Sequence, residues 1–373
     1  ICQEASGVLS SLRTGPPAIA HGDLVTDLQN LRRGMKEVSI QLADLTTATT
    51  CNNDDDIGPK SAGNLSSTTD VDAVAPGLTM IHPYVEPFLS VVVDPSASGR
   101  HTLAALRSLY RLLERGTLVS LVKYRRPLLE NSDNNNAHCT IGLNAIAKAT
   151  IACKFEQTDV AGDEAVEMAL ADLLGLLIIL DSAKLVAIDC GPGVQGGEES
   201  TLTSYLSSLQ SETRMEAFTT VFVARNTFIH SPALCYHVEG VLLSMVKATF
   251  SQIGRTASSG DPKSSIEVAA KNMLDFLTQQ LLHTPLLHHS LSINSNSGAV
   301  VNNEAQAVHD ATRVLCLKLA RCIIREGWFE VNNEKVRLNE ESTERLSQRT
   351  LLSIIQEDLC LALLIIGQAS GSA

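Results

Sequence analysis

The sequence predicts an all-α protein, an irregular α-solenoid of antiparallel helices of the armadillo or HEAT kind. Hydrophobic residues make up 44% of the chain but aromatic residues only 4%, so Leu, Ala, Ile and Val must build the core, as in stacked helices. Apolar residues also recur at helical spacing in one segment after another, with no pattern typical of a sheet. No fixed repeat length is visible, so we expect irregular repeats.

The clearest element lies within the stretch Phe155 to Leu180, where a polar, turn-forming start at Thr158, Asp159 and Gly162 leads into one long apolar helix. Four apolar residues at helical spacing predict its buried face: Val166, Leu170, Leu173 and Leu177. Glu164 and Glu167 are expected on the opposite side. Such an apolar helix cannot stand alone in water, so other helices must cover it.

The first part of the chain is predicted to hold helices separated by polar loops. His21 to Leu45 keeps the helical period, whereas residues 46–80 are rich in Thr, Ser, Asn and Asp and predict a mobile loop. Tyr84 to Val93 contains β-branched residues, but Pro87 suits the first turn of a short helix, so we predict a helix there.

The segment HTLAALRSLYRLLERG is predicted to form the next helix, which ends at Gly116. Its predicted inner residues are Leu103, Leu106, Tyr110 and Leu113. Its predicted outer stripe consists of Arg107, Arg111 and Glu114.

The remaining helices follow the same spacing rule, with polar or glycine-rich loops between them. Ser231 and Pro232 form a start signal for one of them, as N-cap and first helical residue. The predicted ranges are residues 138–154, Ser200 to Ala224, His230 to Phe250, Ile266 to Leu282, Glu304 to Glu326 and Asn339 to Gly367.

Charge and cysteine content narrow the possible functions. The net charge of −12 argues against broad nucleic-acid binding, which needs basic surface. The nine cysteines form no CxxC pair and sit among apolar neighbours, which predicts reduced thiols in the cytosol. No apolar run reaches the ~18 residues of a membrane span. The chain begins with Ile, so we expect a piece of a longer protein.

The sequence shows no motif of catalysis, and we predict no enzyme activity, metal or cofactor. HExxH, GxSxG and kinase motifs are absent, and the glycine-rich run at 191–197 lacks the Lys-Ser/Thr of a phosphate loop. His283, His288 and His289 have apolar or Ser neighbours rather than further ligands. Cys235 and His237 would point about 200° apart on a helix, so they cannot act as a pair.

Several blocks of sequence, taken in order, resemble the N-terminal region of the GBF/Gea group of Golgi exchange factors for Arf GTPases. The block KATIACKFEQTDVAGDEAVEMALADLLGLL carries a Phe, a Thr-Asp turn and an acidic pair opening a leucine-rich helix. Four further blocks agree: LVTDLQNLRRGMKEVSIQLADL, VEPFLSVVVDPSASGRHTLAALRSLYRLLERG, TRMEAFTTVFVARNTFIHSPALCYHVEGVLLSMVKATF and RTLLSIIQEDLCLALLIIGQ.

This resemblance implies a dimerisation and cyclophilin-binding domain over residues 1–254 and a linker with one helix over 255–302. Residues 303–373 would begin the homology-upstream region. Such modules are non-catalytic α-solenoids that self-associate and regulate Arf activation in Golgi vesicle traffic. The resemblance places Arg111 and Glu164 in the self-association interface, where opposite charges favour one register; ordinary surface charges remain the other interpretation.

The partners implied by the resemblance are a second copy of the chain and the downstream domains of the same protein. Arf or Rab-type GTPases and the Golgi membrane are further expected partners, with a cytoplasmic location peripheral to that membrane. The alternative that the residues leave open is an unrelated armadillo-like adaptor that holds peptides or coat proteins in its groove.

Overall fold

The computed structural model describes residues 1–13, 25–36, 82–118, 142–156, 159–189, 208–251, 265–283 and 308–325. These residues are almost entirely helical. Within them, the only β-type pairing is one isolated bridge between Ser98 and Glu156. The prediction of an all-α protein is therefore confirmed for the described part of the chain.

Ten helices are described, in the order α1 to α10. Eight of them are α1 (Cys2–Arg13), α3 (His82–Val93), α4 (Gly99–Glu114), α5 (Leu143–Ile151), α6 (Val160–Asp189), α7 (Ser211–Thr227), α8 (Pro232–Phe250) and α9 (Ser265–His283). The other two are α2 over residues 25–36 and α10 over residues 308–325. The predicted helix over 339–367 and the predicted loop 46–80 lie outside the described residues.

The helices pack mainly on near neighbours in the chain. α4 and α8 lie on α6, so these three form one row. α5 contacts both α3 and α7, and α7 contacts α9, so these four form a second row. Helices adjacent in sequence also pack on each other across the two rows, as α3 does on α4 and α7 on α8. The long helix α6 therefore lies in the middle, as the sequence predicts.

The core is one continuous set of buried side chains between these rows. Val166, Leu170, Leu173 and Leu177 of α6 are all buried, which confirms the predicted inner face. Between α7 and α9, three phenylalanine rings pack edge to face, with centroids 6.0 Å apart for Phe218 and Phe276 and 5.1 Å apart for Phe222 and Phe276. Such pairs contribute about 0.5–1.5 kcal/mol beyond the area they bury.

The helix predicted at YVEPFLSVVV is confirmed as α3, but the role assigned to Pro87 is wrong. The helix begins at His82, so Pro87 lies inside it rather than in its first turn. A proline in a helix interior removes one hydrogen bond and strains the turn before it. In α3 the carbonyl left without this hydrogen bond is that of Pro83, four residues before Pro87. The helix is held by its buried side chains, Val85, Phe88, Val91 and Val92, which lie in the core.

Helix α4 ends where the sequence predicts. Gly116 has a φ of 61°, a left-handed conformation that glycine adopts without strain, and its N–H donates to Leu113 O at 3.0 Å. The inner face differs in detail from the prediction, because Leu103 and Tyr110 are only half-buried. Leu109 and Leu112 are buried instead, since α1, α3 and α6 all pack on this helix.

Helix α6 begins at Val160, and Asp159 precedes it as the N-cap. The Asp159 carboxylate accepts a hydrogen bond from Gly162 N at 2.6 Å, which satisfies one N–H of the first turn. Before the helix, Glu156 N donates to Ala97 O at 3.0 Å, and Phe155 has no helical backbone. Phe155 therefore lies outside the helix, and Gly162 lies inside it rather than in a turn.

The start predicted for the helix at Ser200 to Ala224 is wrong. Helix α7 begins at Ser211, and Gln210 before it has an extended backbone with ψ of 145°. The reason is a tertiary contact, because Leu209 N donates to the Asp181 carboxylate of α6 at 3.0 Å. By contrast, Ser231 caps α8 as predicted, accepting a hydrogen bond from Leu234 N at 3.4 Å.

Candidate interaction surface

The exposed side of α4 is basic in a chain whose net charge is −12. Arg100, Arg107 and Arg111 are exposed and recur at spacings of seven and four residues, which places them on one face over about 16 Å. Glu114 is also exposed, so the predicted outer stripe of Arg107, Arg111 and Glu114 is confirmed. We call Arg100, Arg107 and Arg111 the arginine stripe.

Arg111 is bound within the chain as well as exposed. Its Nη1 donates to the two carboxylate oxygens of Glu4 in α1, at 3.2 and 3.0 Å. Ser108 Oγ donates to the same carboxylate at 3.0 Å. The Glu4 side chain is 9% exposed and that of Arg111 is 44% exposed. Arg111 therefore fastens α1 to α4 while part of its guanidinium, which carries five N–H donors, still faces solvent.

Glu164 lies in the first helical residues of α6 and is half-buried. Its neighbour Asp163 lies beside the start of α4, because a Cβ placed on Gly99 would be 3.7 Å from Asp163 Oδ1. Arg111 lies twelve residues further along α4, about 18 Å at 1.5 Å per residue. The structure therefore does not bring Arg111 and Glu164 together in one chain.

The sequence predicts Glu167 on the outer face of α6, but in the structure its side chain is partly buried. The pKa of Glu167 is raised above its ordinary value, mainly by burial and to a lesser extent by the charge of Asp163. Cys153 follows α5, and burial raises the pKa of its thiol to about 12. The nearby charge of Glu167 adds to this rise in the pKa of Cys153. The prediction fails because α5 packs on this side of α6.

A line of polar side chains crosses the outer surface of α4, α6 and α8. His237 Nε2 of α8 lies 2.7 Å from Asp172 Oδ1 of α6, with 38% and 39% of the two side chains exposed. The pKa of Tyr110 on α4 is raised by burial, then by the charges of Glu114 and Asp172 and by a hydrogen bond with Glu114. His237 thus pairs with Asp172. Cys235, which the sequence analysis considered together with His237, has a different contact, because its Sγ donates to Phe228 O at 3.5 Å.

A second charged group, which the sequence analysis missed, joins α7, α8 and α10. Arg225 Nη2 donates to Glu239 Oε1 at 2.9 Å, and Lys318 Nζ lies 2.6 Å from Glu239 Oε2. Burial acts to raise the pKa of Glu239, but the hydrogen bonds and charges of Lys318 and Arg225 outweigh it, so the pKa is lowered. No local spacing signals this group, because its members are far apart in sequence.

Two features considered in the sequence lie outside the described part of the chain. They are the glycine-rich run 191–197 and the pair His288 and His289, and the side chain of His283 also lies outside it. In the part that is described, no group of three or more His, Cys, Asp or Glu could hold a metal ion. None of the described helices combines the length and apolarity needed to span a membrane.

The described residues carry two groups of charge near each other, the arginine stripe on α4 and the carboxylates of Asp163 and Glu164 at the start of α6. Such charges set orientation and association rate more than they set affinity. Comparisons of the chain with protein-family models, with curated proteins and with solved structures find no match.

Proposed function

We propose that this chain is a non-catalytic regulatory and self-association module of an Arf guanine-nucleotide exchange factor of the GBF/Gea type, acting in Golgi vesicle traffic. It would work as a homodimer and through contact with downstream domains of the same protein. Arf or Rab-type GTPases and the Golgi membrane, to whose cytoplasmic side the module would attach peripherally, are its further proposed partners. The proposal rests on the ordered blocks of resemblance and is supported by the packing of the helices.

The armadillo/HEAT-like solenoid is part of this proposal. Its support is the order of packing, in which α4, α6 and α8 lie side by side and α3, α5, α7 and α9 do the same. In a solenoid each unit contacts the units before and after it, which gives this pattern. The elongated surface of such a stack suits binding of other proteins.

The single observation that favours self-association is the position of Arg111 and Glu164. Arg111 is 44% exposed although it binds Glu4, and Glu164 lies at the far end of α4, about 18 Å away along its axis. Two copies related by a two-fold axis would contact each other through the same surface, so each Arg111 would meet the partner copy's Glu164. The pair would then form twice in each dimer.

The test is light scattering of the purified chain at tens of micromolar, which we expect to give twice the monomer mass. Glu164→Lys and Arg111→Glu should each give monomers. Mixing the two variants in equal amounts should restore the dimer, because each contact would again join opposite charges. A strictly monomeric wild-type chain would refute the proposed homodimer.

Two control variants separate this effect from changes within the chain. Arg107→Glu reverses a neighbouring charge of the arginine stripe that the proposed contact does not use. Glu4→Gln weakens the intrachain bond of Arg111 and leaves its charge in place. Both controls should remain dimeric. If Arg107→Glu dissociates the dimer as fully as Arg111→Glu does, general charge rather than the specific pair explains the association.

A further inference from the structure

Helix α1 lies between α2 and α4. Its residues Cys2 and Glu4 point about 200° apart, at 3.6 residues per turn. Cys2 Sγ donates to Arg32 O of α2 at 3.6 Å. On the other side, the Glu4 carboxylate accepts hydrogen bonds from Ser108 and Arg111 of α4. The helices α2 and α4 therefore flank α1 on opposite sides.

The face of α1 between these two neighbours is open and carries no negative charge. Gln3, Gly7 and Ser10 are exposed and lie within about 60° of one another around the helix. A Cβ placed on Gly7 would meet nothing within 4 Å, so this face is low as well as open. Glu4 is the only carboxylate residue of α1, and it is buried against Arg111.

Positive charge borders this face on both sides. Arg33 and Lys36 are exposed on α2, within about 60° of each other. On α4, Arg115 is exposed one turn beyond Arg111 and on the same side of the helix. Within the described ranges, no carboxylate pairs with any of these three exposed side chains. We call the exposed residues of α1 and their charged borders the basic trough: Gln3, Gly7, Ser10, Arg33, Lys36 and Arg115.

The exposed carboxylates on the two flanking helices face away from the basic trough. Asp27 lies about 120° or more from the basic residues of α2. Glu114 forms a hydrogen bond with Tyr110, on the side of α4 where the charge of Asp172 of α6 is also felt. The basic trough is therefore a narrow positive strip on a chain whose net charge is −12.

We propose that the basic trough binds an acidic peptide segment of another protein, rich in Asp and Glu, which lies along α1. Packed helices stand about 8–10 Å apart, so α2 and α4 are about 16–20 Å apart across α1. This spacing leaves room for one peptide segment over the low face of α1, with its carboxylates reaching the basic residues on either side. Such complementary charges fix the orientation of the segment.

The same features favour a peptide over an anionic membrane. A flat surface resting on α4 would also approach the carboxylates of α6, among them Asp172, whose side chain is 39% exposed. The exposed face of α1 offers Gln, Gly and Ser, and membrane-bound helices instead insert large apolar side chains. The proposed binding uses neither Arg111 nor Glu164, so it does not depend on the proposed dimer.

The test is fluorescence anisotropy of a labelled poly-glutamate peptide titrated with the full chain at low salt. Gly7→Glu should weaken binding about tenfold, because it places a negative charge between the two basic borders. Gly7→Gln has nearly the same shape without the charge, so it is the matched control and should bind as the wild type does. Gly7→Glu should also keep the wild-type mass in light scattering, which separates this test from that of the dimer.

A second pair of variants separates the basic trough from the overall charge of the chain. Arg33→Glu combined with Arg115→Glu reverses both borders and should weaken binding of the peptide by about tenfold or more. Lys247→Glu combined with Lys271→Glu makes the same change in net charge at exposed positions of α8 and α9, and should leave binding unchanged.

Three results would overturn the proposal. The first is a wild-type chain that does not bind the peptide, and the second is equal binding by Gly7→Glu and Gly7→Gln. The third is an equal loss of binding in the two double variants, because overall charge would then explain the binding. Vesicles of phosphatidylserine and phosphatidylcholine provide a further check. If the chain binds these vesicles through the basic trough in preference to the peptide, the occupant is a lipid surface and the proposal is wrong.

Discussion

Arg214 of α7 and Asp181 of α6 form an ion pair in which each side chain is only 1% exposed. Asp181 also accepts a hydrogen bond from Leu209 N at 3.0 Å, so one carboxylate fixes both the start of α7 and its position on α6. Burial lowers the pKa of Arg214, and the charge and hydrogen bond of Asp181 oppose that effect. Neither side chain can lose its partner without leaving a buried charge.

The first prediction follows from this pair. Asp181→Ala should lower the free energy of unfolding by about 3–5 kcal/mol, because it leaves the Arg214 guanidinium buried and uncompensated. Adding Arg214→Met should recover a large part of the loss, since apolar replacement of a buried ion pair is often close to neutral. Urea unfolding followed by circular dichroism measures both. A double variant no more stable than Asp181→Ala would contradict the prediction.

The second prediction concerns the close contact of α6 and α8. A Cβ on Gly175 would lie 2.7 Å from Val241 Cγ1, whereas a Cβ on Gly240 would meet nothing within 4 Å. Gly240→Ala should stabilise the protein by about 0.5–1 kcal/mol, as glycine is costly inside a helix. Gly175→Ala should instead destabilise it, since overpacking costs about 1–3 kcal/mol. Adding Val241→Ala should rescue Gly175→Ala in thermal unfolding.

The third prediction concerns pH and Glu239. The pKa of Glu239 is lower in the folded chain than its ordinary value of 4.5. Folding thus favours the charged form, so the stabilisation is complete above pH 4.5 and is lost as the pH falls below it. Glu239→Gln should cost about 1–3 kcal/mol at pH 7, and this cost should shrink on acidification. Unfolding curves at pH 7 and pH 3.5 measure the difference.

Lys318→Met is the control for that experiment. The Lys318 side chain is 50% exposed, whereas those of Arg225 and Glu239 are 6% and 16% exposed. Loss of the exposed partner should cost less than about 1 kcal/mol. An equal loss from Lys318→Met and Glu239→Gln would show that the buried Arg225 contact contributes little.

The fourth prediction concerns Glu167, whose pKa is raised by burial and by Asp163. Folding here favours the protonated form, so the ionised carboxylate destabilises the chain at neutral pH. Glu167→Gln should therefore stabilise the protein at pH 7, by a few tenths to about 1 kcal/mol. Glu216→Gln, at an exposed position of α7, is the matched control and should change little. A loss of stability in Glu167→Gln would contradict this interpretation.

Local signals in the sequence were enough to predict the class of fold and several helix ends. Gly116 and Ser231 act on residues within four positions of themselves, so their roles can be inferred without a tertiary structure. The inner face of α6 was likewise predicted, because four apolar residues at helical spacing determine it. The start of α7 was missed, since it depends on Asp181, 28 residues before Leu209.

The candidate surface was predicted only in part, because local spacing determines which residues face outward but not which distant residues they contact. Helical spacing places Arg111 on the outer side of α4, which the structure confirms. Its bond with Glu4 joins residues 107 positions apart, and no local pattern points to such a partner. Glu167 was misplaced because the helical spacing of α6 alone does not reveal that α5 covers one of its sides. The assignment of Arg111 and Glu164 to an interface stays a prediction.

The order in which the helices pack also has a consequence during synthesis. Among the described helices, most contacts join a helix to the next or the next but one, so few of these pairings need distant parts of the chain to meet. Chains of this kind fold fast for their size. As the polypeptide leaves the ribosome, α6 can settle on α4 before α8 has been made, and α8 then meets a surface already in place. Each newly made helix thus shields the apolar face left open by the one before it.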